Sequence, residues 1–362
     1  EVKAGSVLVG DAFYTFSAPE EALPLSAAFA VSADPIIVGS DGVIKVVDAH
    51  GTPAEGVTIM QVLEAGEEEV GITNAEGLLK TARFSEEAGD YVVYAVKDGR
   101  LSFRCTVSSY AAQAAGDIAP FAIMNHATAD PSTEKSITWL TSLSAPAQSI
   151  QYAYGDGEWE TLAAEAQTRT FTKGGNSAVV ANGAILTGLA PGTTYRYRVG
   201  GEESWSDEMT FTTNAAGEGS SFFLLGDIQS EDMTNVNALM DQIRTKNFDF
   251  GIQTGDAVDD ATSYEDWADI ASLFGAKSLA DTDMVHVMGN HEYAGDADGL
   301  TADALYNLPA SGPGESYSVT YGNVYVAVIN YAGNSVQLAA ALDWLEQDAA
   351  ASKATWKVLA IH

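Results

Sequence analysis

A chain of 362 residues exceeds one ordinary domain, and its apolar fraction of 46% supplies several cores. With 50 acidic residues against 17 basic ones (net charge −33), it lacks the Lys and Arg density needed to bind nucleic acid or an anionic membrane. Its one cysteine, Cys105, excludes an intrachain disulfide and a cysteine-type zinc site, and no apolar run approaches the ~18 residues of a membrane span.

Residues 1–112 read as an immunoglobulin-like β-sandwich, with 1–34 ambiguous between this sandwich and a preceding module. Gly42–Asp48, Val57–Val62, Tyr91–Val96 and Leu101–Val107 are expected strands, and Lys97-Asp98-Gly99-Arg100 is a hairpin signal. Cys105 alternates into the last of these strands and is expected in the core. The phrases Asp48-Ala49-His50-Gly51-Thr52-Pro53 and Thr73-Asn74-Ala75-Glu76-Gly77 resemble bacterial immunoglobulin-like surface modules. That resemblance and the acidity suggest an extracellular or cell-surface location. A first residue of Glu1 rather than Met reads as processed or excised.

Residues 113–215 read as a second sandwich after the small-residue linker Ala111–Gly116. Ser136–Leu140 is a strand with a core Trp139, and Leu189–Tyr195 leads into Arg196–Val199 like a tyrosine corner. This segment resembles a fibronectin type III module, and more narrowly the β-domain that precedes the catalytic domain of purple acid phosphatases. His50 and His126 lie in turn-rich sequence and read as surface residues, whereas His286 reads as a core histidine.

The grammar changes in residues 216–362. Strands at Ser221–Gly226, Phe248–Thr254, Met284–Met288 and Trp356–Ile361 alternate with helices, and Tyr317–Tyr321 with Val324–Asn330 reads as a hairpin. The first helix is expected over 231–246, with Ser230 as N-cap and Val236, Leu239, Met240 and Ile243 inward. The second carries Trp267, Ile270, Ala271 and Phe274, and the third, 336–351, turns Leu338, Leu342 and Leu345 inward. The expected fold class is multidomain: all-β sandwich modules followed by an α/β, αββα-layered domain.

The chemistry sits where strands end. Gly226-Asp227-Ile228-Gln229, Gly255-Asp256-Ala257-Val258-Asp259 and Gly289-Asn290-His291-Glu292 each follow an apolar strand, and the last strand delivers His362. Oxygen and nitrogen side chains of this kind suit hard-to-borderline divalent metals. These four motifs in this order resemble the calcineurin-like metallophosphoesterase family.

The resemblance implies two divalent ions (Mn, Zn or Fe), with Asp256 bridging them, Asp227 on the first, and Asn290 and His362 on the second. It further implies a hydroxide activated between the two ions, and His291 protonating the leaving group while Asp259 orients its ring. Gln229 stands where the family usually has His and is left open between direct ligation and a role through water. Asp259 replaces the tyrosine of purple acid phosphatases, so ferric colour is not expected. The family continues to a later Gly-His-x-His, so the domain is expected to be incomplete at its carboxyl end, and a fragment of this kind weakly active or inactive.

Residues 216–362 hold 22 acidic and five basic residues, and Arg244, their only Arg, lies away from the motifs. The expected substrate is therefore a small phosphate monoester, with a phosphodiester as the close alternative. The rival reading is a non-catalytic surface binding or adhesion protein with a degenerate core. Nothing in the sequence specifies an oligomeric state.

Overall fold

The computed structural model describes residues 5–9, 12–16, 28–113, 117–215, 219–230, 232–279, 281–331 and 335–362. The chain forms two compact units, Glu1–Ala111 and Ala112–His362.

In the first unit β1 (Gly5–Val9) and β2 (Ala12–Phe16) form an antiparallel hairpin. One sheet joins β3 (Phe29–Ala33), β5 (Gly42–Asp48) and β8 (Leu78–Thr81). A second joins β11 (Cys105–Ala112), β9 (Gly89–Lys97), β6 (Thr58–Leu63) and β7 (Gly66–Ile72). Short β4 (Ile36–Ile37) lies beside β11, and β10 (Arg100–Leu101) beside β9. Every second residue of β5 is buried, and Ile44 and Val46 share a core with Ile59, Val93 and Val107 of the other sheet. Asp98 and Gly99 both adopt positive φ (52° and 73°), as a two-residue hairpin turn requires.

The expected strand Leu101–Val107 is interrupted. Leu101 pairs with Val96 but Cys105 pairs with Val93, so the register slips by one residue in a bulge at Ser102–Arg104. The Ser102 hydroxyl accepts the Ala95 N–H there at 2.8 Å. Cys105 is half-buried rather than fully enclosed, and burial raises its thiol pKa.

The second unit begins with an antiparallel sheet of β12 (Phe121–His126), β13 (Lys135–Thr141), β17 (Ser177–Leu186) and β16 (Glu165–Phe171). A further sheet holds β15 (Glu160–Ala163), β14 (Ser149–Tyr154) and β18 (Thr194–Gly201), with β19 (Ser204–Trp205) and β20 (Met209–Thr212) on β18. Trp139, Ile150, Tyr197 and Phe211 are buried in their shared core. The Tyr195 hydroxyl accepts the Ala190 N–H at 2.9 Å, which closes the tyrosine corner.

Parallel strands β21 (Phe222–Leu225), β22 (Phe250–Gln253) and β23 (Asp283–His286) extend the first of these sheets, because β23 also pairs with β12. A separate sheet holds the hairpin β24 (Tyr317–Tyr321) and β25 (Val324–Val328), with β26 (Trp356–Ala360) parallel to β25. Alternation sends Phe250, Ile252 and Val285 against Tyr321, Val326 and Val328 of the second sheet. Phe223, Leu225 and Met284 point the other way, onto α1 (Thr234–Arg244) and α2 (Tyr264–Phe274). Helix α4 (Ser335–Ala351) packs on β25, where Asp348 accepts the Tyr325 hydroxyl at 2.8 Å. The layers run αββα, and each fully buried large apolar side chain contributes roughly 1.5–3 kcal/mol.

Several local expectations are corrected. Helix α1 starts at Thr234 with Met233 before it, and the expected cap Ser230 instead bonds Asp232. Residue 231 lies outside the described residues. Leu239 and Leu342 are 43% and 49% exposed rather than inward, and Ala341 faces inward, whereas Met240 is buried as expected. An unanticipated seven-residue helix α3 (Leu300–Tyr306) follows Gly299; it is too short for helical periodicity to announce it. In the loop before it, Asp296 accepts the Thr301 N–H at 2.7 Å. His126 is buried, because β12 lies inside the sheet beside β23.

Candidate metal centre

Three of the motif side chains converge. The Asp227 and Asp256 carboxylates and a His362 ring nitrogen lie within 4.8 Å of one another, delivered by the carboxyl ends of β21, β22 and β26. Two of the residues are held in an unusual backbone state: Asp227 and Asp256 both have positive φ, 51° and 54°. Each such non-glycine residue costs on the order of 1–3 kcal/mol and persists only where its surroundings enforce it.

Here the enforcement is visible. The loops after β21 and β22 are zipped by Asp227 N–H to Gly255 O (3.1 Å) and Ile228 N–H to Asp256 O (3.1 Å). Glu292, fully buried, accepts the N–H groups of Asp256 (3.0 Å), Ala257 (2.8 Å) and Gly289 (2.7 Å). Burial pushes its carboxyl pKa up, against the pull of the three donors. Gly289 lies so close to Asp256 that a Cβ would strike its carboxylate.

His362 is oriented by the main chain. Its Nδ1 lies 2.9 Å from Thr254 O, and a carbonyl can only accept, so Nδ1 carries the hydrogen. Nε2 lies 3.2 Å from Asp256 Oδ2. Gly255, at φ 92°, leaves room for the ring, which a Cβ would meet at 2.7 Å. Asn290 is exposed, and its Oδ1 accepts the Tyr331 hydroxyl at 3.3 Å, while the Tyr331 ring stacks on His362 with centroids 6.1 Å apart. Gln229 lies on the Asp256 carbonyl through its N–H (3.4 Å), and its buried Oε1 has no hydrogen-bond partner.

His291 donates its N–H to Asp256 Oδ1 at 3.0 Å. Its Nδ1 lies 2.7 Å from the Asp259 carbonyl oxygen, so Nδ1 is the donor and Nε2 faces Asp256 Oδ2 at 3.8 Å. That carbonyl bond, then the Asp256 and Asp259 charges, raise the imidazole pKa. The expected orientation of His291 by Asp259 is therefore corrected in one respect: the main-chain carbonyl makes the contact. The Asp259 carboxylate is 3.7 Å from Nδ1 and pairs instead with Lys173 Nζ at 2.9 Å, which lowers its pKa.

Sequence reasoning missed Tyr331 and Lys173, and left Glu292 open between a surface partner and a weak acid behind the site. A glutamate in a polar motif carries no sign of burial, and Lys173 lies in the preceding sandwich segment, far from any motif.

The donor set fits a divalent ion on its chemistry. It joins two carboxylates with a histidine whose free nitrogen is aimed by a carbonyl, a usual arrangement for a ligating imidazole, and an orphaned amide oxygen stands at Gln229.

Such a set at the carboxyl ends of strands in layered sheets could hold a divalent ion. Residues 220–362 match the family of calcineurin-like phosphoesterases, and the chain carries a domain of that family. Residues 120–213 match the purple acid phosphatase N-terminal domain, so this domain follows a purple-acid-phosphatase-type β-domain. No curated protein matches the chain. Among solved structures, one titled "Structure of PhoD" is similar at 14% identity and a TM-score of 0.46, over 66% of this chain. The chain spans 62% of the length of that structure. No helix among the described residues is long and apolar enough to cross a membrane.

Proposed function

We propose that the protein is a metal-dependent phosphoric ester hydrolase acting on small phosphate monoesters outside the cell. The observation that carries this reading is the convergence of Asp227, Asp256 and His362 within 4.8 Å inside a domain of the calcineurin-like family.

Asp227, Asp256 and His362 would hold the ions, with Asn290 and the Gln229 oxygen completing the set. Two bound divalent ions supply Lewis acidity toward the phosphoryl oxygens and lower the pKa of water. His362 presents its Nε2 lone pair because Thr254 O fixes the hydrogen on Nδ1. His291 acts as general acid. Its Nδ1 hydrogen is held by Asp259 O, so the proton it gives up leaves from Nε2, which can reach a departing ester oxygen. The bond from Nδ1 to the Asp259 carbonyl favours the protonated ring. A cleft of about 510 Å³ beside the motifs, lined in part by Gln229, Asp259 and Lys173, has room for a small ester.

The test is metal uptake and hydrolysis of 4-nitrophenyl phosphate and bis(4-nitrophenyl) phosphate by the Mn- or Zn-treated protein. Faster turnover of the monoester is expected. The diester as the better substrate would overturn the monoester assignment, and failure to take up either metal would overturn the function.

A further inference from the structure

We propose that Lys173, a residue of the β-sandwich segment, is the substrate-binding cation of this site, and that its ammonium exchanges Asp259 for an anionic oxygen of the phosphate ester. The inference rests on the phosphoesterase reading above.

Lys173 follows β16 on a loop tied to the catalytic domain by two main-chain bonds, Thr172 N–H and Lys173 N–H to Thr262 O, at 3.0 and 3.1 Å. The backbone thus holds the loop in place, and the side chain is not required for docking. Its ammonium reaches Asp259 Oδ2 at 2.9 Å, and the other oxygen of that carboxylate is 3.7 Å from His291. Lys173 is also the only basic side chain lining the 510 Å³ cleft among the described residues.

The pair is cheap to break. Lys173 and Asp259 are 45% and 60% exposed, and an ion pair in such a position contributes little. A phosphoryl group carries more negative charge than one carboxylate and offers several acceptors, so it competes well for the ammonium. Of the other acids lining the cleft, Glu265, Asp266 and Asp269, Asp266 is already occupied by the N–H groups of Asp259 and Asp260 at 3.1 Å and by the Ser263 hydroxyl at 2.6 Å. In a domain this acidic, one ammonium in the cleft beside the motifs offsets the local repulsion of a dianion. The sandwich is then part of the active site.

The experiment compares wild type, Lys173→Ala, Lys173→Arg and Lys277→Ala, each treated with Mn²⁺. Lys277 pairs with exposed Asp207 and does not line the cleft, so its variant removes the same charge elsewhere. Two readouts are taken: calorimetric affinity for inorganic phosphate, and KM and kcat for 4-nitrophenyl phosphate. Lys173→Ala is expected to weaken phosphate binding and raise KM about tenfold, the loss of one charged hydrogen bond, with Lys173→Arg and Lys277→Ala within about threefold of wild type. Equal phosphate affinity in wild type and Lys173→Ala overturns the proposal, as does a wild type that binds no phosphate. Phosphate binding that depends on Lys173 without any hydrolysis leaves this proposal standing and overturns the catalytic reading alone.

Discussion

The carboxylate of Glu292 accepts the backbone N–H of Asp256 at 3.0 Å from a fully buried position. Because the same carboxylate also takes the N–H groups of Ala257 and Gly289, it ties the loop after β22 to the loop after β23. The Asp256 main chain that it grips has the positive φ noted above, so Glu292 stabilises a conformation that would otherwise relax. Glu292→Ala should destabilise the fold by about 2–5 kcal/mol, since three buried N–H groups lose their acceptor. Glu292→Gln, which keeps one oxygen, should cost less. Urea unfolding checks the order, and equal midpoints for wild type and both variants would refute it.

Asp227 is strained but, unlike that of Asp256, its carboxylate accepts no N–H among the described residues. Asp227→Gly should therefore unfold at a higher temperature than wild type in metal-free buffer, by up to about 1 kcal/mol. The same variant should lose most of its Mn²⁺-induced thermal shift. A lower melting temperature without metal would show that the backbone at Asp227 is not strained.

His291→Gln should lower kcat by about 10² to 10⁴ while leaving Mn²⁺ affinity near wild type, because the side chain supplies a proton rather than a ligand. The loss should be larger for phenyl phosphate than for 4-nitrophenyl phosphate, whose leaving group needs less protonation. Equal losses on both substrates would remove His291 from the role of acid.

The buried pair His126 and His286 predicts acid sensitivity. The Thr138 hydroxyl donates to Leu305 O at 3.0 Å, so it must accept from His126 Nε2 at 2.6 Å. His126 Nδ1 is then an acceptor, and His286 Nε2–H donates to it at 3.2 Å. A second proton on His126 would set two hydrogens against each other. Burial accordingly pushes the His126 pKa down to about 3, and that of His286 well below its usual value. With folded values below the unfolded value of about 6.5, the unfolded state binds more protons as pH falls. The stability from these residues is complete above about pH 6.5 and is lost on acidification, by on the order of a few kcal/mol at pH 4. His126→Leu should flatten urea midpoints measured from pH 7 to 4, and an unchanged slope would count against the pair as the cause.

Much of the architecture was legible because it is written in local periodicity. The strands that became β5, β9, β21 and β22, and the inward face of α2 at Trp267, Ile270 and Phe274, follow from alternation and helical spacing alone. Where a segment has more than one apolar stripe the reading failed. Met240 faces the core as expected, but Leu239 and Leu342 do not, and Ala341 does, because the neighbouring layer decides which stripe is covered.

The sequence by itself determined the kind of chemistry available, since Asp227, Asp256 and His362 stand at strand ends, where the chain must turn and polar side chains can face solvent. Only the tertiary structure decided how these residues are held. It buried Glu292 under the motif loops, turned the Asp259 carbonyl rather than its carboxylate toward His291, and brought Lys173 in from the sandwich. The physical reason is that backbone donors, burial and contacts between distant segments belong to no single stretch of residues. They come into being only when the sheets pack.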